Sequence, residues 1–284
     1  MSIRIGLVSA RSKDEAQELG VEVAEWLEAQ PCQLVHEDEL QTSPDAVDVI
    51  VALGGDGLIM RMAHSYPNTP LLGINVGKIG FMAMIERNDW KRALDLLITG
   101  QYRVQSGPTL SATLLRNNET RFSGWAVNDV VLRSGSSMVD VEVYIDRQFV
   151  NTYPGDGMII ATPQGSTAYC MAAGGPALGA GVRGFAVVPI CPHSPIRTNL
   201  VVPEEAAIEL VIVNDSPCDL LLDGTPDGAL ERGDIVQIRS ASAEFRLVMV
   251  EGTDFYQAFR TKFNYMIRPQ AVPSLGSDRQ GAGG

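Results

Sequence analysis

Val47-Asp48-Val49-Ile50-Val51-Ala52-Leu53-Gly54-Gly55-Asp56-Gly57 is the stretch that decides the fold. Residues 47–53 form an apolar run of the kind found in a parallel sheet buried on both faces, and the run ends abruptly in three glycines and an aspartate. Helical residues resume from 58 to about 65. Working outward, residues 3–9 read as a short apolar strand, and residues 12–30 carry Ala16, Leu19, Val23, Trp26 and Leu27 at helical spacing. Residues 33–36 and 69–75 read as further strands, and residues 89–99 as a helix stopped by Gly100. Strands alternating with helices predict an α/β unit with a parallel sheet, a Rossmann-like N-terminal domain over residues 1–100.

Beyond Gly100 the texture changes. Val139, Val141, Val143 and Ile145 fall on one face of a strand, with Asp140, Glu142, Tyr144 and Asp146 on the other. Similar strands are expected at 110–116, 125–133, 157–161, 185–188, 207–213, 235–240 and 245–250, separated by Gly, Pro and Asn/Asp signals. They predict a mostly-β, sandwich-like C-terminal domain over residues 101–253. Residues 254–268 recover a helical pattern and are expected to return to the first domain. The Gly/Ser/Pro-rich residues 269–284 are expected to be disordered.

Charge and composition narrow the function. The 284 residues carry 22 Lys and Arg against 34 Asp and Glu, a net charge of −12, so the chain lacks the broad basic field that draws in nucleic acid. No run of eighteen apolar residues is present, which argues against a membrane span. Cys32, Cys170, Cys191 and Cys218 are too widely spaced for a C-x-x-C pair and read as small hydrophobes. The first residues lack a secretory pattern, so a cytoplasmic location is expected.

Three segments carry candidate chemistry. At Gly54-Gly55-Asp56-Gly57 a strand ends where α/β sheets bind ligands, and a helix N-terminus there offers free N–H groups to a phosphate. Asp56 beside a phosphate suits a role in phosphoryl transfer, as a metal holder or as acceptor of a hydroxyl proton; a tight turn in which Asp56 caps the helix accounts for the tetrapeptide equally well. The second cluster, from Gly73 through Gly77 to Gly80-Phe81, fails the phosphate-loop spacing and reads as an irregular connection between domains. The third runs from Gly155-Asp156-Gly157 to Thr162-Pro163-Gln164-Gly165-Ser166-Thr167-Ala168-Tyr169. Ser166 and Thr167 can cap a helix while their hydroxyls and Tyr169 face a cleft, a combination suited to a sugar or a heteroaromatic base. His36 and His64 read as incidental and His193 as structural.

In this order, and with Asn128-Asp129 and Pro192-His193-Ser194 between and after them, these segments resemble the NAD kinases across residues 3–268. Gly-Gly-Asp-Gly alone is shared with diacylglycerol and sphingosine kinases; the Gly-Ser-Thr-Ala-Tyr block after Thr-Pro is far more specific. The resemblance implies transfer of a phosphoryl group from ATP or polyphosphate to the 2′-hydroxyl of the adenosine ribose of NAD, making NADP, with Mg2+ or another divalent cation. It implies Asp56 as proton acceptor, and Gly57 and Arg61 in contact with the dinucleotide. It also implies Asn128 and Asp129 on the adenine and ribose side, Asp156 at the nicotinamide half, and Gly165, Ser166, Thr167, Ala168 and Tyr169 around the adenosine. Gly54, Gly55 and Gly57 would form the phosphate-donor turn, and a homodimer or homotetramer is implied. No set of metal-ligating side chains is read. The chain departs from the family pattern at Asp129 for Glu, Gln164 for Thr, Ile79 for Leu, and Thr225 for a polar residue such as Gln or His. The rival readings are a lipid kinase with the same turn, and a non-catalytic dinucleotide sensor.

Overall fold

The computed structural model describes residues 2–43, 46–77, 80–135, 137–179, 181–193, 195 and 197–267; the tail expected to be disordered lies outside the described residues. Among the described residues the strands form three sheets. In the first, the spatial order is Gln33–Val35, Arg4–Ser9, Val49–Gly54, Leu71–Asn75, Phe245–Val250 and Tyr102–Gly107, with Ile85–Glu86 pairing separately with Leu71–Asn75. The first four strands are parallel. Val49–Gly54 lies in the middle and is buried at all six positions, which is why it reads as a continuous apolar run. Helix Asp14–Glu28 covers the sheet through Ala16, Leu19, Val23 and Leu27, and helix Trp90–Ile98 through Trp90, Ala93, Leu94 and Leu97. Gly100, with φ +75°, ends the latter with its N–H on the Leu97 carbonyl.

The strand order reverses between Arg4–Ser9 and Val49–Gly54, whose carboxyl ends lie side by side, Ser9 opposite Leu53. Such a switch point is where open α/β sheets bind ligands, and the Gly-Gly-Asp-Gly turn begins there.

The other two sheets are antiparallel and six-stranded. One runs Gln148–Gly155, Val139–Ile145, Ile208–Ile212, Ile235–Ser240, Leu110–Arg116, Glu119–Ala126; the other runs Leu200–Pro203, Gly184–Ile190, Gly157–Ala161, Asp129–Ser134, Cys218–Leu222, Thr225–Leu230. Their inner faces share one core, with Val141, Leu210 and Ile238 from one sheet meeting Ile160, Phe185 and Leu220 from the other. The second sheet buries its outer face as well, under Cys170, Leu178 and Tyr169. Burial pushes the Cys170 thiol up to about 11 and the Cys218 thiol up to about 12, so both stay protonated and pack as small apolar groups.

A boundary at 100/101 and 253/254 does not match the sheets. Tyr102–Gly107 and Phe245–Val250 pair with each other and complete the first sheet, Leu247 lying opposite Leu71. Alternating hydropathy marks a strand without saying which sheet it joins; the near-continuous apolar run Phe245-Arg246-Leu247-Val248-Met249-Val250 is the pattern of a strand covered on both faces. Helix Phe255–Ile267 then returns to the first unit, its Phe255 and Phe259 rings 5.9 and 6.3 Å from that of Phe81.

Candidate active site

Asp56 opens helix Asp56–Ser65, and its side chain does not cap that helix. It reaches across to a different segment. Oδ2 accepts the Phe81 N–H at 2.9 Å, and Oδ1 accepts those of Met82 and Ala83 at 3.0 Å each. A methyl on Gly80 would overlap Oδ1, so only glycine leaves room for the carboxylate at this point. The second glycine cluster is therefore no connection between domains: Leu71–Asn75 is a strand of the first sheet, and residues 80–83 form the seat of Asp56. The spacing of its glycines carries no sign of this, because the group they accommodate lies some two dozen residues upstream.

In the turn itself the glycines differ. A Cβ on Gly54 would press on Leu58 and Ala10, whereas at Gly55 and Gly57 it would meet nothing within 4 Å, so the latter two border open space. The helix beyond them lines a cleft of about 670 Å³ with Gly57, Arg61 and His64, faced by Trp125, Asp223 and Thr225 from the β-rich unit. That volume suits a small-molecule ligand, and the cleft lies between the two units, where such sites are common.

Asp223 organises the far wall. Leu222 and Thr225 pair across a two-residue hairpin loop in which Asp223 and Gly224 both have positive φ, 49° and 80°, the combination an Asp-Gly dipeptide favours. The turn aims the Asp223 carboxylate at the segment entering strand Asp129–Ser134. It accepts the N–H groups of Val127, Asn128 and Asp129 at 2.7, 2.6 and 3.0 Å, and Nε2 of His64 lies 2.6 Å from Oδ2. His64, whose ring centroid is 4.4 Å from that of Trp125, is thus not incidental: it ties the first helix of the site to the β-rich unit. Its partner is 159 positions away, and no local pattern announces it.

Asn128 donates from Nδ2 to Met60 Sδ at 3.1 Å, while its buried Oδ1 has no hydrogen-bond partner among the described residues. A buried acceptor left open in this way is a place for a donor on a ligand. Asp129 is buried beside it, and its carboxyl is pushed up to about 7, first by burial and then by the Asp223 charge. The folded protein therefore keeps a proton that the unfolded chain releases near pH 4, so stability falls as pH rises from about 4 to 7 and stays lower above. Asp129→Asn is expected to remove this dependence, raising the melting temperature at pH 8 by the equivalent of at most about 4 kcal/mol and leaving it unchanged at pH 4. Melting curves of the two proteins that differ equally at both pH values would refute it.

The Thr162–Tyr169 segment is built differently from its reading as a capped helix. Thr162 Oγ1 donates to the Val127 carbonyl and accepts the Gly165 N–H, and Gly165 sits so close to the Asn128 backbone that a methyl there would collide with its carbonyl. Ser166 is fully buried; its hydroxyl donates to the Pro163 carbonyl at 2.6 Å and accepts the Leu178 N–H at 2.9 Å. Both of these partners are backbone groups, so the hydroxyl braces the loop. A short 3-10 turn, Gly165–Thr167, replaces the cap, followed by a helix of one turn, Tyr169–Ala172. Ala168 is exposed, with Thr167 and Tyr169 half-buried beside it, and the Tyr169 ring lies 5.8 Å from the Arg133 guanidinium.

Asp156 is exposed and precedes strand Gly157–Ala161, in which Gly157 pairs with Arg133 and Ala161 with Asp129. Four residues of strand, about 13 Å, separate those two ends. Gly57 and Arg61 thus line the interdomain cleft, with Asp56 next to Gly57 in the chain and Asn128 and Asp129 behind the cleft residues Met60 and Asp223, while Asp156 and Tyr169 lie towards the Arg133 end.

Comparison with known proteins bears on this arrangement. The ATP-NAD kinase N-terminal domain matches residues 40–102 and the ATP-NAD kinase C-terminal domain residues 127–250. An NAD kinase of Thermomicrobium roseum is 58% identical over 274 residues, 96% of each chain, and one of Protochlamydia amoebophila is 33% identical over 92% of this chain and 98% of its own. Two solved structures share the fold. Yeast NADH kinase complexed with NADH superposes with a TM-score of 0.84 at 20% identity, over 97% of this chain and 91% of that one. An Archaeoglobus fulgidus NAD kinase in complex with ATP gives 0.72 at 24% identity, over 92% and 98%. Both domains in sequence order, and such identity along nearly the whole length, place the chain in the NAD kinase family.

Proposed function

We propose that this protein phosphorylates the 2′-hydroxyl of the adenosine ribose of NAD to give NADP, with ATP or inorganic polyphosphate as donor. The observation that carries the reading is the Asp56 carboxylate, seated at a helix N-terminus on the topological switch point, beside a cleft between the two units. Oδ1 already accepts two N–H groups and Oδ2 one, so Oδ2 keeps acceptor capacity for a hydroxyl. In the reaction the ribose oxygen attacks the terminal phosphorus in line while its proton passes to Asp56. The bond from that phosphorus to the bridging oxygen breaks, and the electron pair leaves with ADP or the shortened polyphosphate. The N-terminus of helix Asp56–Ser65, which borders open space at Gly55 and Gly57, and its dipole suit the donor's phosphates, and Arg61 on the cleft wall suits the dinucleotide. Asn128 Oδ1 and Asp129 suit the nucleoside.

A divalent cation fits this scheme as part of the donor. Among the described residues no cluster of three or more His, Cys, Asp or Glu could hold a metal ion, so the cation would enter on the phosphates and offset their charge. Self-association belongs to the same proposal. Phe149 and Val201, on the edge strands Gln148–Gly155 and Leu200–Pro203, expose 56% and 53% of their surface, apolar area that a second copy can cover. No helix among the described residues is long and apolar enough to cross a membrane, and a cytoplasmic location is proposed on the family resemblance.

The test is NADP formation from NAD, magnesium and either donor, read through an NADP-specific dehydrogenase. Turnover with one or both donors is the expected result. NAD at a hundred times its dissociation constant should also add about 2.7 kcal/mol of stability. Saturable NAD binding without turnover would favour the sensor, and stabilisation by diacylglycerol in place of NAD would favour the lipid kinase.

A further inference from the structure

Lys262, on the returning helix Phe255–Ile267, stands over the same carboxylate. Its Nζ is 3.8 Å from Asp56 Oδ2 and 4.1 Å from the centroid of the Phe81 ring. Phe81 supplies the N–H that holds Oδ2, and its ring packs against Phe255 and Phe259 of the lysine's own helix. Two distant parts of the chain, at residues 81 and 262, therefore converge on one carboxylate oxygen of Asp56, the one with acceptor capacity to spare. Lys262 is 36% exposed and Asp56 30%, and a pair this open at this distance adds little to stability. The ring contact fixes the height of the ammonium above the site while its long stem leaves the head free to move.

A cation here answers a specific difficulty. On the proposed reading, on which this inference rests, a carboxylate must sit beside a transferring phosphoryl group that it repels. The cleft offers Arg61 one turn along the helix, whereas Lys262 lies at Oδ2 itself. We propose that Lys262 is a catalytic residue of the transfer: paired with Asp56 in the free protein, its ammonium yields Oδ2 to the ribose hydroxyl and moves onto the phosphoryl oxygens. It supplies charge and exchanges no proton. The hydroxyl proton still goes to Asp56 and the electron pair to the leaving phosphate.

Lys262→Met keeps the stem on Phe81 and removes the charge. It is expected to lower kcat about 10²-fold, the scale of losing one preorganised charge at a transition state, with KM for NAD within threefold and an unchanged melting temperature. Lys262→Arg should retain at least a tenth of wild-type kcat. Lys262→Ala should regain turnover saturably with added propylammonium and not with tetramethylammonium at equal ionic strength, a rescue that a merely structural lysine would not show. A Met variant with kcat within threefold of wild type would overturn the proposal, as would an inactive Ala variant that propylammonium leaves inactive. Absence of NADP formation by the unaltered protein would instead overturn the reading of the site, and the lysine's role with it.

Discussion

Asp56→Asn is expected to bind NAD and to turn it over about 10² to 10⁴ times more slowly than the parent, the usual cost of removing a general base. The two side chains are nearly isosteric, but the seat distinguishes them. Three backbone N–H groups converge on the carboxylate, from Phe81, Met82 and Ala83, and the Lys262 ammonium forms an ion pair with it at 3.8 Å. An asparagine can offer its single oxygen to Met82 and Ala83, but its NH2 then faces the Phe81 N–H and the lysine, donor against donor. The amide therefore lacks the proton-accepting oxygen and also settles less well where the hydroxyl must arrive. Gly80→Ala provides a check that leaves the carboxylate in the chain: the added methyl occupies the space of Oδ1 and should push Asp56 out of its seat. Because the Asn128 side of the site is untouched in both variants, NAD affinity by calorimetry should stay within a few fold while kcat collapses. Near-normal turnover in Asp56→Asn would remove this residue from the role of base.

What could be read from the sequence was whatever has a local cause. Val49–Gly54 announces itself because a central parallel strand is apolar on both faces, and Val139–Ile145 because its two faces meet different surroundings. Gly100 ends its helix for reasons confined to its own backbone. The glycine turn could be placed at a ligand site, since the end of a buried strand followed by a helix start is itself a local pattern. Partnerships across the chain are a different matter. Phe245–Val250 joins the first sheet through a partner strand more than a hundred residues upstream, and the carboxylate of Asp223 meets N–H groups that lie 94 to 96 positions before it. Ser166 shows the limit from the other side. A serine after a Pro-Gln-Gly turn can equally be a ligand contact or an internal brace, and only the position of the Leu178 N–H decides for the brace.

Asp223 is where stability and ligand binding are expected to fail together. Its carboxylate is 7% exposed and serves three backbone N–H groups and the His64 ring. Asp223→Asn tests the charge without disturbing the turn, because asparagine tolerates the left-handed conformation that φ +49° demands. The variant keeps one acceptor oxygen and turns two donor hydrogens towards N–H groups that have no water to fall back on. Losing one member of a buried, charge-assisted network costs about 3–5 kcal/mol, which for a chain of this size lowers the melting temperature by about 5–8 °C. One partial offset acts at Asp129: without the neighbouring negative charge its carboxyl falls back from about 7 while burial still holds it above the ordinary range, so less of the cost of ionising it remains at neutral pH. Binding should suffer as well, since the N–H of Asn128 is one of the three groups released and the unpartnered Oδ1 of that residue is then no longer held in place. Measured well below the melting point, KM for NAD is expected to rise at least tenfold. A variant that melts within 2 °C of the parent would show that water or a neighbouring side chain can replace the carboxylate. A destabilised variant with unchanged KM would show that the Val127–Asp129 segment holds its shape unaided, and either result would separate the hairpin from the substrate site.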